Sequence, residues 1–250
     1  MPATHGYLSN VRVGCAGWSL PREAWPEFPE TGSHLERYAV RLNAAEINSS
    51  FYRPHQPATY ARWAASVPAG FRFSVKLPKT ITHEKRLRDC KNLLDDFLPQ
   101  VTRLGEKLGC LLVQLPPSLA LDVGAAQAFF RALRQRHTGA VAVEPRHASW
   151  FTQAAEELLK DVKVARVLAD PVMFDAGRAP GGDTGLVYVR LHGSPRMYYS
   201  AYAPAVLDAL IVRLQLAAAS DVSLWCIFDN TASGAAVPDA LYLTNGLARR

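Results

Sequence analysis

Val141-Ala-Val-Glu-Pro-Arg-His-Ala-Ser-Trp150 starts as a short apolar run and ends in side chains suited to chemistry: Glu144, Arg146, His147 and Trp150. A strand buried in a parallel sheet is apolar on both faces along its length. Alternation places Ala142, Glu144 and Arg146 on one face and Val141 and Val143 on the other, so an acid and a base share one side of the strand end. A buried charge needs a partner or a ligand. The stretch therefore predicts a polar site at the downstream edge of a parallel sheet.

Seven further runs rich in β-branched and aliphatic residues flank this one, separated by helical patterns or Gly/Pro stretches. Strands are expected at 11–17, 44–51, 72–77, 110–116, 140–146, 163–170, 186–193 and 224–230, a spacing that suits repeated βα units. Ser33-His-Leu-Glu36 is a capping box that opens a helix ending near Asn43. Pro57 fits the first turn of the next helix, where Tyr60, Trp63, Ala64 and Val67 share one face. Helical patterns follow at 93–108, 123–136, 151–161 and 204–219, and a last short helix at 238–244 is expected to stop at Asn245-Gly246. Between Asp170 and Gly185, two prolines and four glycines break any helical period. An irregular loop is expected there in place of the helix after strand six. Eight alternating strands in 250 residues predict a single-domain (β/α)8 TIM barrel covering the whole chain. No GxGxxG or GxxxxGK[ST] follows a strand, which removes dinucleotide and P-loop binding.

Composition sets wider bounds. Forty-nine per cent of the residues are hydrophobic, enough for a substantial core. No apolar run approaches the ~20 residues of a membrane span, and MPATHGYLSN lacks the apolar segment of a signal peptide. Cys15, Cys90, Cys110 and Cys226 form no Cys-x-x-Cys, which predicts buried thiols in a reducing cytoplasm. A net charge of +6 permits polyanion binding without demanding it.

A barrel of this class carries its active site at the C-terminal strand ends. Those ends hold Trp18; Glu46, Asn48 and Ser49; Lys76; Gln114; Glu144, Arg146 and His147; Asp170; Arg190 and His192; Asp229 and Asn230. Arg72-Ser74-Lys76 and Tyr188-Arg190-His192 repeat the one-faced pattern, so polar groups converge on the barrel mouth. Barrel interiors also hold purely structural ion pairs, and Glu46, Glu144 and Asp170 suffice to neutralise Lys76, Arg146 and Arg190. Such pairs cost desolvation, so a ligand site is the stronger expectation. The loop after strand three carries Lys79, Lys85, Arg86, Arg88 and His83, which suits either a solvated face or an anion cradle. Aromatic residues gather on the same edge, among them Trp18, Trp25, Phe51, Trp150, Phe151, Tyr198 and Tyr202, and suit stacking.

Val13-Gly-Cys-Ala-Gly-Trp-Ser19, Glu46-Ile-Asn-Ser-Ser-Phe-Tyr52, Phe71-Arg-Phe-Ser-Val-Lys76, Gln114-Leu-Pro-Pro117, Val143-Glu144 with Arg146-His147 and Ser149-Trp150, and Tyr188-Val-Arg-Leu-His-Gly193 together resemble the YecE-like family, domain of unknown function 72. The resemblance runs in order from about Val11 to the last helix. It implies a TIM barrel and brings no established reaction. Pro145 stands where the family usually has an aromatic or other apolar residue, and Asp229-Asn230 where an Asn-Asn pair is common. At fold level the family looks similar to endonuclease IV and sugar-isomerase barrels, which bind divalent metals at this edge.

The residues themselves favour a hydrolase or lyase acting on a phosphate-bearing ligand: a nucleotide, nucleic acid or sugar phosphate. Lys76, Arg146 and Arg190 would hold the phosphate, with Asn48, Asp229 and Asn230 also binding. Glu46 or Glu144 would be general base, His147 or His192 acid, and Trp18 or Trp150 would stack. The cofactor is unknown. Glu46, Glu144, His147, Asp170, His192 and Asp229 have the chemistry for zinc or manganese, but the shared cations and the lack of HxH or HExxH disfavour a metal. Alternatives are a non-catalytic module for nucleic acid or a small anion, a glycosidase using Glu46 and Glu144, and a Schiff-base enzyme using Lys76. No membrane association and no protein partner are implied.

Overall fold

The computed structural model describes residues 10–249; the first nine residues, on which the leaderless reading mostly falls, and Arg250 lie outside the described residues. Strands form in all eight expected places. β1 (Val11–Ala16), β2 (Ala44–Ile47), β3 (Arg72–Lys76), β4 (Leu108–Gln114) and β5 (Ala140–Glu144) lie side by side in chain order, each parallel to the next. The run expected as one strand at 163–170 forms in two pieces, β6 (Ala165–Arg166) and β7 (Leu168–Asp170). β6 pairs with β5 and, antiparallel, with the two-residue β8 (Gly181–Gly182). β7 pairs instead with β9 (Leu186–Leu191), which continues through β10 (Ser223–Phe228) back to β1. Segment 165–170 therefore reaches from one margin of the sheet to the other. The product is a mixed α/β fold with a nearly closed, barrel-like sheet of ten strands.

Two separate apolar clusters follow from the alternation of strand side chains. The larger joins the outward face of the sheet to the helices, through Val13, Phe73, Val75, Leu111, Val143 and Leu191 among others. The smaller fills the inside of the sheet with Ala44, Cys110, Leu112, Ala142, Ala165, Tyr188, Trp225 and Ile227. Tyr188 and Trp225 stack there, with centroids 5.8 Å apart and planes 6° from parallel. A Cβ at Gly109 would stand 2.5 Å from the Trp225 ring, so glycine makes room for the indole. Two residues beyond this apolar layer, the same inward face becomes charged: Ala44 leads to Glu46, Ala142 to Glu144, Tyr188 to Arg190 and Ile227 to Asp229.

The helices are α1 (His34–Ala39), α2 (Ser49–Tyr52), α3 (Pro57–Ala65), α4 (Lys91–Val101), α5 (Val123–Arg134), α6 (Gln153–Asp161), α7 (Pro204–Ala218) and α8 (Ala236–Ala248). The Ser33–Glu36 capping box forms with both of its hydrogen bonds. Several boundaries differ from expectation: α1 ends at Ala39 rather than near Asn43, the pattern at 93–108 is α-helical only to Val101 and continues as a 3-10 segment at Thr102–Lys107, and two further differences have a definite cause. The second strand stops at Ile47, because Asn48 turns into the helical region and Ser50 Oγ hydrogen-bonds to the Ile47 and Lys76 carbonyls, winding 49–52 into α2. The last helix runs on through Asn245-Gly246, since a Cβ at Gly246 would collide with Ile211; the glycine permits close approach of α7 and α8 rather than a stop. Segment 170–185 contains no α-helix, only a 3-10 turn at Asp175–Gly177 and β8. Among the described residues no helix is long and apolar enough to cross a membrane. All four cysteines are free and buried, and burial pushes the Cys15 thiol up to about 12 and Cys90 to about 11.

Candidate functional site

Arg190, on β9, stands at the centre of the charged layer and is 1% exposed. Its Nε and Nη2 donate to Glu46 at 2.6–3.2 Å, and its Nη1 donates to Glu144 Oε2 at 2.8 Å. Nη2 also lies 3.1 Å from Asp229 Oδ2. Burial disfavours the guanidinium charge, but three carboxylates outweigh it and hold the Arg190 pKa well above its ordinary value. Glu46 is completed by the Tyr188 hydroxyl, which donates to Oε2 at 2.8 Å.

His192 continues the network. Its Nδ1 lies 3.0 Å from Asp229 Oδ2 and its Nε2 lies 3.0 Å from Glu144 Oε1. Burial opposes protonation here, yet Glu144 and the two hydrogen bonds raise the His192 pKa on balance, as expected for an imidazolium donating from both nitrogens. The carboxylates respond in the opposite direction. Burial would raise Glu144, but Arg190, His192 and Arg146 bring it well below the usual carboxylate range. Asp229 is likewise lowered, against burial, by Arg190 and His192.

Arg146 closes the outer rim. Nε and Nη2 donate to Glu144 Oε1 at 3.2 and 3.1 Å, and Nη2 donates to the Tyr198 hydroxyl at 3.0 Å. Tyr198 has φ +69°, a left-handed backbone rarely taken by a bulky side chain, and its ring packs edge-on against His192. Glu46, Glu144 and Asp229 thus face Arg190, Arg146 and, when it is protonated, a charged His192. Lys76 is left over. Among the described residues its ammonium makes no hydrogen bond or ion pair; it stands 4.1 Å from the centre of the Phe51 ring. Burial, then Arg190, lowers the Lys76 pKa to about 8, against the pull of the three carboxylates.

A scan of family models matches residues 12–250 to the protein family described as "Protein of unknown function DUF72". The chain belongs to the DUF72 family. It is 31% identical over 148 residues to the UPF0759 protein YecE of Escherichia coli K12, an alignment covering 59% of this chain and 52% of YecE. The chain thus spans about half the length of that curated relative. The UPF0759 protein YunF of Bacillus subtilis 168 is 23% identical over 199 residues, covering 73% and 70% of the two chains. Two crystal structures of DUF72 family proteins share the fold. That from Enterococcus faecalis V583 has a TM-score of 0.79 at 21% identity, covering 96% of each chain. That from Thermotoga maritima MSB8 has a TM-score of 0.76 at 25% identity, covering 96% and 99%.

Within this DUF72 fold, the residues singled out by sequence divide into three groups. Glu46, Lys76, Glu144, Arg146, Arg190, His192 and Asp229 come together, with Asn48 Nδ2 reaching Asp229 Oδ1 at 3.5 Å. His147 stands apart: its Nδ1 accepts from Ser149 N–H and caps the 3-10 turn Ala148–Phe151. Asp170 accepts from the Tyr202 hydroxyl at 2.8 Å rather than neutralising a cation. Trp150 and Asn230 require correction as ligand contacts. Trp150 is 1% exposed, with its indole N–H donated to the Leu119 carbonyl, so its faces are spent on packing. Asn230 is fully buried and braces the chain after β9 through Ser200 and Asp239. Trp18 packs edge-on against Trp63 and Phe73 and is half-buried. In the basic loop, Lys79 pairs with Glu84, Arg88 with Asp122, and Arg86 with Ser118, so most of its cations already have partners within the protein.

Three participants were placed only loosely by sequence. Tyr188 lies two residues before Arg190 on its face, and Tyr198 counted only among the aromatics. His83 packs edge-on against Phe51, beneath Lys76, with Nδ1 2.8 Å from Thr82 Oγ1. Burial, with Lys76 and Arg146, lowers the His83 pKa and leaves a neutral imidazole beside the cations. A divalent metal does not fit this donor set. Glu46, Glu144 and Asp229 all face the Arg190 guanidinium, which occupies the place where their oxygens converge. Among the described residues no cluster of His, Cys, Asp or Glu has a metal-holding arrangement.

Proposed function

We propose that this DUF72 protein binds a phosphate-bearing ligand at the C-terminal strand edge of a single-domain (β/α)8 TIM barrel. The barrel count follows if segment 165–170 is taken as one interrupted strand and β8 is set aside. The observation that carries the binding assignment is Lys76. Every other charge of the cluster has an internal partner, whereas among the described residues this half-buried ammonium has none. An uncompensated cation in a partly desolvated mouth is stabilised by an anion. Arg146 Nη1, with no hydrogen bond of its own, supplies a second donor on the same rim. Inorganic phosphate titrated calorimetrically into the protein tests this. Lys76→Ala is expected to weaken binding roughly tenfold to a hundredfold, the worth of a charge-assisted hydrogen bond. Unchanged affinity refutes the assignment.

Recognition without turnover is the second reading, and a specific observation favours it. Glu46, Glu144 and His192 are held in mutual ion pairs, which leaves them poor proton acceptors or donors toward a ligand. The same pairing removes support for a glycosidase built on Glu46 and Glu144, since Arg190 lies between the two carboxylates. If the site hydrolyses or cleaves its ligand, His83 is the group with a neutral acceptor to offer. Release of p-nitrophenol from mono- and bis-p-nitrophenyl phosphate, abolished by His83→Ala, would establish the hydrolase. Binding without release would establish the module.

A further inference from the structure

Lys76 closes β3, two residues past Ser74 on the inner face of the sheet, so its amine stands at the charged mouth. Glu46, Glu144 and Asp229 are near enough to act on its charge, yet all three are engaged by Arg190. One side of the amine meets the Phe51 ring, 4.1 Å from its centre, where carbon stands in place of water. A ring face attracts an ammonium only weakly. Burial first, then the like charge of Arg190, bring the Lys76 pKa down to about 8. At pH 7.5 roughly a quarter of such amines is unprotonated, about two hundred times the share of an ordinary lysine. The other lysines differ. Lys79, Lys85, Lys91, Lys160 and Lys163 are exposed, with Lys79 paired to Glu84 and Lys160 to Glu156. Lys107 donates to the Pro68 carbonyl.

We propose that Lys76 is also a covalent nucleophile, which captures an aldehyde or ketone bearing an anionic group as an imine. The anionic class rests on the phosphate reading above; the capture itself does not. A lysine amine free of carboxylates, partly dry and beside another cation is the arrangement that favours imine formation. The nitrogen lone pair attacks the carbonyl carbon, and the carbonyl oxygen takes one amine proton by way of solvent. The resulting hydroxyl then departs with the second amine proton as water, leaving a C=N bond. No oxidant or reductant takes part. Once protonated, the imine keeps the positive charge that Glu46, Glu144 and Asp229 already act on. Arg146 Nη1, without a hydrogen bond among the described residues, is the donor for the anionic group of the ligand. His83, edge-on to the same Phe51 ring and held neutral, adds an acceptor without adding charge. Lys76 thus serves in two protonation states: the ammonium binds an anion and the amine bonds to a carbonyl.

The test treats the full chain with glycolaldehyde phosphate or glycolaldehyde, traps the imine with borohydride and reads the modified lysine by peptide mass spectrometry. At pH 7.5 glycolaldehyde phosphate is expected to mark Lys76 about tenfold or more faster than any other lysine, and faster than glycolaldehyde marks it. The rate at Lys76 should climb up to about tenfold per pH unit and level off above about 8, whereas an ordinary lysine keeps gaining toward about 10.4. Lys76→Arg should lose nearly all incorporation at pH 7.5 while keeping its circular dichroism and its affinity for inorganic phosphate. Lys76 marked no faster than the exposed lysines, with inorganic phosphate still bound, overturns covalent capture alone. Preferential capture of both aldehydes at equal rates, without phosphate binding, upholds the nucleophile and overturns the anionic class together with the phosphate reading.

Discussion

Arg190→Met removes one charge and leaves three. In the native chain that guanidinium touches Glu46, Glu144 and Asp229 within 3.1 Å, and it is almost wholly shielded from water. His192 and Arg146 remain to serve Glu144 and Asp229, but Glu46 keeps only the Tyr188 hydroxyl. Breaking a buried pair by deleting one partner costs about 3–5 kcal/mol, a large share of the ~5–15 kcal/mol that stabilises a domain. For a chain of this size each kcal/mol moves Tm by roughly 2–4 °C, so a fall of about 6–20 °C is expected. Thermal unfolding followed by circular dichroism at pH 7 measures it. Acid should narrow the gap between variant and native protein, because a buried carboxylate without a counter-ion prefers to be protonated. Adding Glu46→Gln should recover part of the loss, since it removes the stranded charge. A variant within 2 °C of the native Tm, with no difference in acid response, would refute the claim that Arg190 is the hub.

Three other outcomes follow from single groups. Lys76 must be protonated to attract an anion, and its pKa is lowered to about 8. Inorganic phosphate should therefore bind with nearly constant affinity below the free-state pKa of about 8, then up to about tenfold more weakly per pH unit until the higher bound-state pKa is reached, and Lys76→Arg should abolish that decline; calorimetry between pH 7.5 and 10 decides it. His192 has a raised folded-state pKa, so its contribution to stability is full below the ordinary histidine value of 6.5 and disappears as pH rises through the folded value. The native Tm should accordingly drop across that window, and His192→Gln should flatten the drop. Tyr38→Phe strands two groups at once, because the buried hydroxyl accepts from Cys15 N–H at 2.7 Å and donates to the Ala44 carbonyl at 2.9 Å, bridging β1 and β2; denaturant unfolding should show a loss of about 1–3 kcal/mol.

Period-two alternation is a local property, and what depends on it was legible from sequence. Ala142-Val-Glu144 and Tyr188-Val-Arg190 each announce which side chains share a face, and the parallel register then brings those faces together. Features decided by contacts far along the chain were not legible. The break at Val167 splits a run expected as one strand because its first half pairs with β5 and its second with β9. Asn245-Gly246 has the residues of a helix stop, yet the glycine answers to Ile211 on a neighbouring helix. Trp150 sits among polar residues in the chain, but the 3-10 turn at Ala148–Phe151 carries its indole to the Leu119 carbonyl.

The same distinction governs the site. Sequence places Lys76, Arg146 and Arg190 on one edge as three equivalent cations; it contains nothing that says which of them a carboxylate already owns. That ownership is set by pairs 46 to 144 residues apart, Arg190 with Glu144 and Glu46. Once those pairs are drawn, Arg190 is spent, Arg146 is half spent and Lys76 is free. Two consequences are independent of ligand identity. The cation that matters most for stability is the one with least to offer a ligand, and the cation that matters most for a ligand contributes no pairing to the fold. Arg190 substitutions should therefore act on unfolding and Lys76 substitutions on binding. A Lys76→Ala protein that melted as early as Arg190→Met would show that the two roles had been divided wrongly.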